Sequence, residues 1–77
     1  MKLQILGTGC AKCNDLTAAT TAVADRLGLD YELEKITDFM RFADFGVMVT
    51  PALVVDGQLK VAGKVPSDAD LETMLKA

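Results

Sequence analysis

The chain contains no histidine and no tryptophan, and only two of its 77 residues are cysteine. Without imidazole, the sequence excludes His-assisted nucleophilic catalysis and every metal site that needs a histidine ligand. Two cysteines are too few for the disulfide framework of a small secreted protein, which holds several bonded pairs. The aromatic side chains are three phenylalanines and one tyrosine. We therefore expect a core of aliphatic residues and methionine packed around Phe39, Phe42, Phe45 and Tyr31.

Basic clusters and long apolar runs are also missing. The net charge is −3 and the lysines and arginines are scattered, so we expect no nucleic-acid partner and no attraction to an anionic membrane. The longest apolar run is far too short to cross a bilayer. The N-terminal segment reaches Gly7 before it can form the apolar stretch of a signal peptide. We expect a cytoplasmic protein that does not associate with membranes.

The length sets the number of domains. A chain of 77 residues cannot divide its apolar residues between two cores. We predict a single domain over residues 1–77, and a monomer is the simplest oligomeric state.

Helical periodicity appears in three segments. Residues 11–27 carry apolar side chains at three- and four-residue steps, namely Leu16, Ala19, Val23 and Leu27, and Gly28 follows as a C-terminal cap. Residues 38–45 form a short predicted helix, begun by Thr37 or Asp38 and ended by Gly46. A last helix is predicted after Ser67, with Leu71, Met74 and Leu75 on one face. Asp68, Asp70 and Glu72 lie near its start, where negative charges interact favourably with the positive end of the helix dipole.

Four segments have the pattern of strands. They are residues 2–6, residues 30–36 with one wet face, residues 52–55 and residues 58–62. Asp56-Gly57 separates the last two and predicts a tight hairpin, because both central residues need positive φ. A strand–helix–strand unit implies a parallel pair. The order βαβαββα thus predicts an α/β fold, a four-stranded mixed sheet with three flanking helices.

Cys10 and Cys13 lie where the loop after the first strand enters the first helix. A thiolate there faces unpaired backbone N–H groups and the positive end of the helix dipole, which favour the ionised form. Cys10 is thus the predicted attacking thiolate and Cys13 the resolving thiol, one turn further in. Lys12, between them, adds a positive charge that lowers the pKa of a nearby thiol. A metal half-site or an incidental pair is the weaker interpretation, and a purely structural disulfide is weaker still.

Thr50-Pro51 directly precedes the apolar run at residues 52–55. A trans proline at the start of a strand is the ordinary interpretation. Together with the cysteines, a cis Thr50–Pro51 bond is the better hypothesis. It would bring Thr50 beside the Cys10 loop and leave backbone groups there to bind an extended substrate segment.

These motifs together resemble the small thioredoxin-like, glutaredoxin-like redox-active disulfide proteins of archaea and bacteria. The resemblance covers almost the whole chain and is carried by residues 7–13, 45–47, 50–57 and 63–66. It implies a minimal thioredoxin-like fold, with Cys10 as nucleophile, Cys13 as resolving thiol and Pro51 as the cis-proline. The leading hypothesis is therefore a thiol–disulfide oxidoreductase with protein disulfide substrates and an upstream thiol reductase, and we expect no cofactor and no metal.

The sequence also departs from that pattern. The Trp and Gly-Pro that surround the thioredoxin cysteines are replaced by Gly9, Ala11 and Lys12. The buried acid of thioredoxin falls at about Gln4, so Cys13 lacks an obvious carboxylate to accept its proton. Asp15 and water are the candidates that the sequence offers.

Two other classes of function compete with the redox interpretation. A metal- or metalloid-binding module could use the two thiolates, as copper chaperones do, but those chains end on a strand and lack Thr50-Pro51. A non-catalytic docking domain is the third class. Phe39, Met40, Phe42 and Phe45 are interpreted as core, or, if exposed, as an apolar platform for a partner. Met48 and Met74 are interpreted as packing residues.

Overall fold

The computed structural model describes residues 1–8 and 11–76, in the predicted order of elements. The strands are β1 (Lys2–Leu6), β2 (Glu32–Ile36), β3 (Ala52–Val55) and β4 (Gln58–Ala62), and the helices are α1 (Ala11–Arg26), α2 (Phe39–Phe42) and α3 (Asp68–Lys76). A 3₁₀ turn at Ala43–Phe45 continues α2. None of the helices in this described part has the length and apolar character needed to span a membrane.

The sheet is mixed, with strand order β2-β1-β3-β4. β1 runs parallel to β2 and antiparallel to β3, and β3 and β4 form an antiparallel hairpin. The hairpin turns at Asp56 and Gly57, whose φ angles are 49° and 84°. The predicted α/β fold and the predicted turn are therefore confirmed.

One face of the sheet packs beneath α1 and α3. The strands contribute Leu3, Ile5, Leu53 and Val55, and the helices contribute Leu16, Val23, Ala24, Leu71 and Leu75. The two helices are also joined at the surface, where Arg26 pairs with Glu72 at 3.1 Å. This face holds α1, and with it Cys13, against the end of β1.

The other face is covered only in part. Near the ends of β1 and β2 that lead into the site, α2 and the following loop bury an apolar cluster of Leu6, Ile36, Phe42, Val47, Ala52 and Val54. Lower on the same face, the Gln4 amide donates a hydrogen bond to Glu34 at 2.8 Å. The wet face predicted for β2 is thus only partly wet, since Glu34 is half-buried and Ile36 is buried.

The predicted helix boundaries are close to the observed ones. The Asp38 carboxylate accepts the Met40 N–H at 2.9 Å, and the Ser67 hydroxyl accepts the Asp70 N–H at 3.2 Å, so both act as N-caps. α1 ends one residue earlier than predicted, at Arg26, and β2 begins two residues later, at Glu32.

The assignment of Phe39, Met40 and Met48 to the core is wrong. Phe39 is 75% exposed, Met40 77% and Met48 97%, whereas Phe42 is buried and Phe45 half-buried. The helix is a single turn, so it can press only Phe42 onto the sheet. Phe39 instead packs its ring on that of Phe42, with centroids 5.9 Å apart.

Candidate active site

Cys13 lies in the first turn of α1 and is buried, with 5% of its surface exposed. Its backbone carbonyl accepts a hydrogen bond from the Thr17 hydroxyl at 2.9 Å. Cys10, the predicted nucleophile, lies outside the described residues, as does Gly9. The resolving position is therefore the half of the predicted pair that the structure describes.

Gly7 is the residue on which the Cys13 sulfur packs. A Cβ atom on Gly7 would overlap the sulfur and lie 3.1 Å from the Cys13 Cβ. Gly7 is itself held by its N–H, which donates to the Ile36 carbonyl at 3.0 Å. The absence of a side chain at residue 7 thus lets α1 approach the end of β1 closely enough to bury the thiol. Sequence reasoning treated Gly7 only as a loop boundary.

A small cavity adjoins Cys13. Its volume is about 30 Å³, and it is lined by Ile5, Gly7, Cys13, Asn14, Thr17, Lys35 and Thr37. That volume is enough for a water molecule, and the lining offers several polar side chains. Lys35 was not predicted as a site residue. The sequence signal that could have identified Lys35 is its two-residue spacing from Leu33 along β2, which puts both side chains on the face covered by α1.

Thr50 and Pro51 directly precede β3, and Thr50 lines a groove together with Thr8. The Thr50–Pro51 peptide bond is cis, Pro51 is buried and Thr50 is half-buried. The Pro51 carbonyl accepts the Gly63 N–H at 2.7 Å. Thr50 and Thr8 line the same groove, so the structure brings the predicted binding residue next to the segment that leads into Cys10.

That groove is largely apolar, with a volume of about 410 Å³. It is lined by Thr8, Phe39, Phe42, Ala43, Val47, Met48 and Thr50, and we call this set the apolar groove. The exposed side chains of Met40 and Val49 are its neighbours in the chain. An exposed apolar surface of the kind considered from the sequence is therefore present, and Thr8, two residues before Cys10 in the chain, is part of its lining.

Gln4, near which the resemblance puts the buried acid of thioredoxin, is 6% exposed. Its amide faces Glu34, on the sheet face away from α1, and does not line the Cys13 cavity. The hydrogen bond from Gln4 is the main cause that lowers the pKa of Glu34, with smaller contributions from the charges of Lys2 and Arg41. The Glu34 carboxylate is therefore engaged by Gln4 of the neighbouring strand, and it does not line the cavity next to the Cys13 thiol.

The remaining candidates are exposed. Lys12, in the first turn of α1, and Asp15, in the second, are both exposed. Among residues 1–8 and 11–76, no group of three or more His, Cys, Asp or Glu side chains is arranged to hold a metal ion. The described elements run strand, helix, strand, helix, strand, strand, helix, which differs from the strand–helix–strand–strand–helix–strand order of the copper chaperones.

The mixed sheet, the buried cysteine at the start of α1 and the cis-proline before β3 together describe the class of thioredoxin-like redox proteins. The chain belongs to the thioredoxin domain family, whose model matches residues 1–76. It is similar to the thioredoxin of Methanothermobacter thermautotrophicus, with 40% identity over 75 residues and 97% of each chain covered. It is also similar to the thioredoxin of Methanocaldococcus jannaschii, with 36% identity over 97% of this chain and 86% of the relative. These comparisons confirm the predicted class of enzyme, a thiol–disulfide oxidoreductase.

Proposed function

We propose that this chain reduces or exchanges disulfides of other proteins, with Cys10 as the attacking thiolate and Cys13 as the resolving thiol. The observation that carries the proposal is the burial of Cys13 at the first turn of α1, against Gly7. A thiol sheltered from solvent is a poor first nucleophile for a large substrate. It is well placed to attack a disulfide formed by the cysteine three residues earlier.

The reaction proceeds in two exchanges. The Cys10 thiolate attacks one sulfur of the substrate disulfide, so that a Cys10–substrate bond forms and the other substrate sulfur leaves as a thiolate. The Cys13 thiolate then attacks the Cys10 sulfur. The intramolecular disulfide forms and the second substrate sulfur leaves, so that the substrate gains two electrons and the enzyme loses them. Cys10 precedes α1 directly, where the helix dipole favours its ionised form, and the charge of Lys12 acts in the same sense.

Substrate binding is assigned to the Thr50-Pro51 loop and the apolar groove beside it. Thr50 shares the groove with Thr8, so a peptide lying along Thr50 would pass next to Thr8, two residues before Cys10 in the chain. Phe39 and Met48 offer it exposed apolar contacts. A surface of this kind fits a protein segment better than a small polar thiol such as glutathione.

The partners follow from this chemistry. Each turnover leaves the Cys10–Cys13 pair oxidised, so an upstream thiol reductase must return two electrons. We place the reaction in the cytoplasm, where thiol pairs are kept reduced, and assign it to a monomeric single domain over residues 1–77.

Serine variants of each cysteine test the assignment. Cys10→Ser should abolish disulfide reduction, whereas Cys13→Ser should retain the attack and accumulate a mixed disulfide, detectable by mass under non-reducing conditions. The matched control is Thr21→Ser, a conservative exchange two turns beyond Cys13 on the same helix. If both cysteine variants reduce substrate at the wild-type rate, the proposal is wrong.

The equilibrium potential separates redox use from metal binding. The metal-free protein is held in graded dithiol/disulfide buffers, and its oxidised fraction is read by thiol alkylation and mass. We expect a reversible two-electron transition between about −180 and about −300 mV. A pair that does not cycle would contradict the redox assignment and favour titration with thiophilic metals.

A further inference from the structure

Lys35 lies on the sheet face that α1 covers. In the parallel pairing of β1 and β2, Lys35 stands opposite Ile5, and Leu33 packs against the core beneath α1 and α3. Side chains alternate across a strand, so Leu33 and Lys35 share this face and Glu34 points to the other. β2 is an edge strand, and Lys35 lines a cavity together with residues of the first two turns of α1.

Lys35 and Cys13 line the same cavity, together with polar side chains from α1 and from the residue after β2. The volume of about 30 Å³ admits a water molecule, and Asn14, Thr17 and Thr37 can hold it by hydrogen bonds. An ammonium group on a flexible four-carbon stem can thus act on the buried sulfur directly or through that water.

We propose that Lys35 is a positioning residue for the resolving step: its ammonium charge stabilises the Cys13 thiolate across the cavity. This inference rests on the proposed function. The Cys13 S–H proton passes to water in the cavity and on to solvent. The resulting thiolate attacks Cys10 in the mixed disulfide, the Cys10–substrate S–S bond breaks, and the substrate leaves as a thiolate.

Lys35 supplies a charged group at the Cys13 cavity, which Gln4 cannot do. Gln4 has no charge, and its amide is engaged with Glu34 on the far side of the sheet. A cation beside the thiol favours its ionised form, as a general base would, but without accepting the proton.

The other charges around Cys13 are few among the described residues. On its own helix, Lys12 and Asp15 are exposed and of opposite sign. β1 contributes only Ile5 to the cavity, and the residue after the strand contributes only Gly7. Asp38, beyond Thr37, caps α2. Lys35 is therefore the charged side chain that the lining itself contributes.

The test follows the two thiols separately with an aromatic disulfide, 5,5′-dithiobis(2-nitrobenzoate). Attack by Cys10 releases one thionitrobenzoate, and resolution by Cys13 releases the second, so rapid mixing resolves two phases. The reduced full chain is assayed from about pH 5 to about pH 9, bracketing the range in which thiols ionise. Lys35→Met should slow the second phase about threefold to tenfold near pH 7 and move its midpoint to higher pH.

Three controls define the cause. Lys35→Arg should restore the wild-type profile, because it returns the charge. Lys60→Met, which removes a lysine from β4, should leave both phases unchanged. Added salt should narrow the difference between wild type and Lys35→Met, since it screens charge and not packing.

The outcomes separate the two proposals. If wild type releases both thionitrobenzoates and Lys35→Met has the same second-phase pH profile, the inference about Lys35 is overturned and the proposed function stands. If wild type releases no second thionitrobenzoate, the proposed function fails and the inference fails with it.

Discussion

Adding a single methyl group at Gly7 should disturb the site more than its size suggests. The new Cβ of Gly7→Ala would overlap the Cys13 sulfur and lie 3.1 Å from the Cys13 Cβ. Neither Gly7 nor Cys13 can shift readily to relieve this overlap. Gly7 is buried and tied to Ile36 by a 3.0 Å hydrogen bond, and Cys13 is fixed within α1. The overlap must therefore be relieved by moving the start of α1 away from β1.

The size of the effect follows from the cost of overpacking. Forcing extra volume into a packed interior costs about 1–3 kcal/mol. At about 0.05–0.15 kcal/mol per residue, 77 residues give a total stability of about 4–12 kcal/mol. We expect Gly7→Ala to remove about 2 kcal/mol. At about 4–8 °C per kcal/mol for a domain of this size, the Tm should fall by about 8–16 °C.

The assay is urea unfolding of the reduced protein in a double-mutant cycle. Wild type, Gly7→Ala, Cys13→Ala and the double variant are compared, with excess dithiol so that no disulfide contributes. Cys13→Ala removes the sulfur that the new methyl group meets, so Gly7→Ala should cost at least about 1 kcal/mol less in that background. An equal cost in both backgrounds would refute the packing argument.

Two further predictions concern the other face of the sheet. Because the Gln4 hydrogen bond lowers the pKa of Glu34 below its ordinary 4.5, the ionised carboxylate stabilises the fold above pH 4.5, and this contribution is lost as the pH falls through the lower folded-state pKa. We therefore expect the free energy of unfolding of wild type to exceed that of Glu34→Gln above about pH 4.5, and this difference to shrink at lower pH. The control is Glu32→Gln, at an exposed position of the same strand. A difference between wild type and Glu34→Gln that stays constant with pH would contradict the prediction. In the apolar groove, Phe39→Ser should lower kcat/KM for a folded disulfide protein about five- to thirtyfold, and less for a small aromatic disulfide. The control is Leu59→Ser, an exposed leucine on β4, and equal losses with both substrates would argue against a docking role.

Local patterns in the sequence were enough to predict the elements and their order. The apolar spacing of α1 and the Asp56-Gly57 turn depend on interactions between residues close in the chain. The same holds for the caps Asp38 and Ser67. Helical period, turn conformation and capping are local properties, so they can be predicted without knowledge of the tertiary contacts between the elements. The family resemblance added the thioredoxin-like arrangement of these elements.

The tertiary structure decided which side chains meet and which are exposed. Phe39 and Met48 looked like core residues by composition, yet a one-turn α2 leaves them open beside Thr50. Lys35 reaches the Cys13 cavity only because β2 lies parallel to β1, a pairing between segments about thirty residues apart. The sequence by itself therefore determined the elements and the cysteine motif. The surroundings of the thiol were decided by contacts across the sheet, because burial and charge depend on neighbours that local periodicity does not specify.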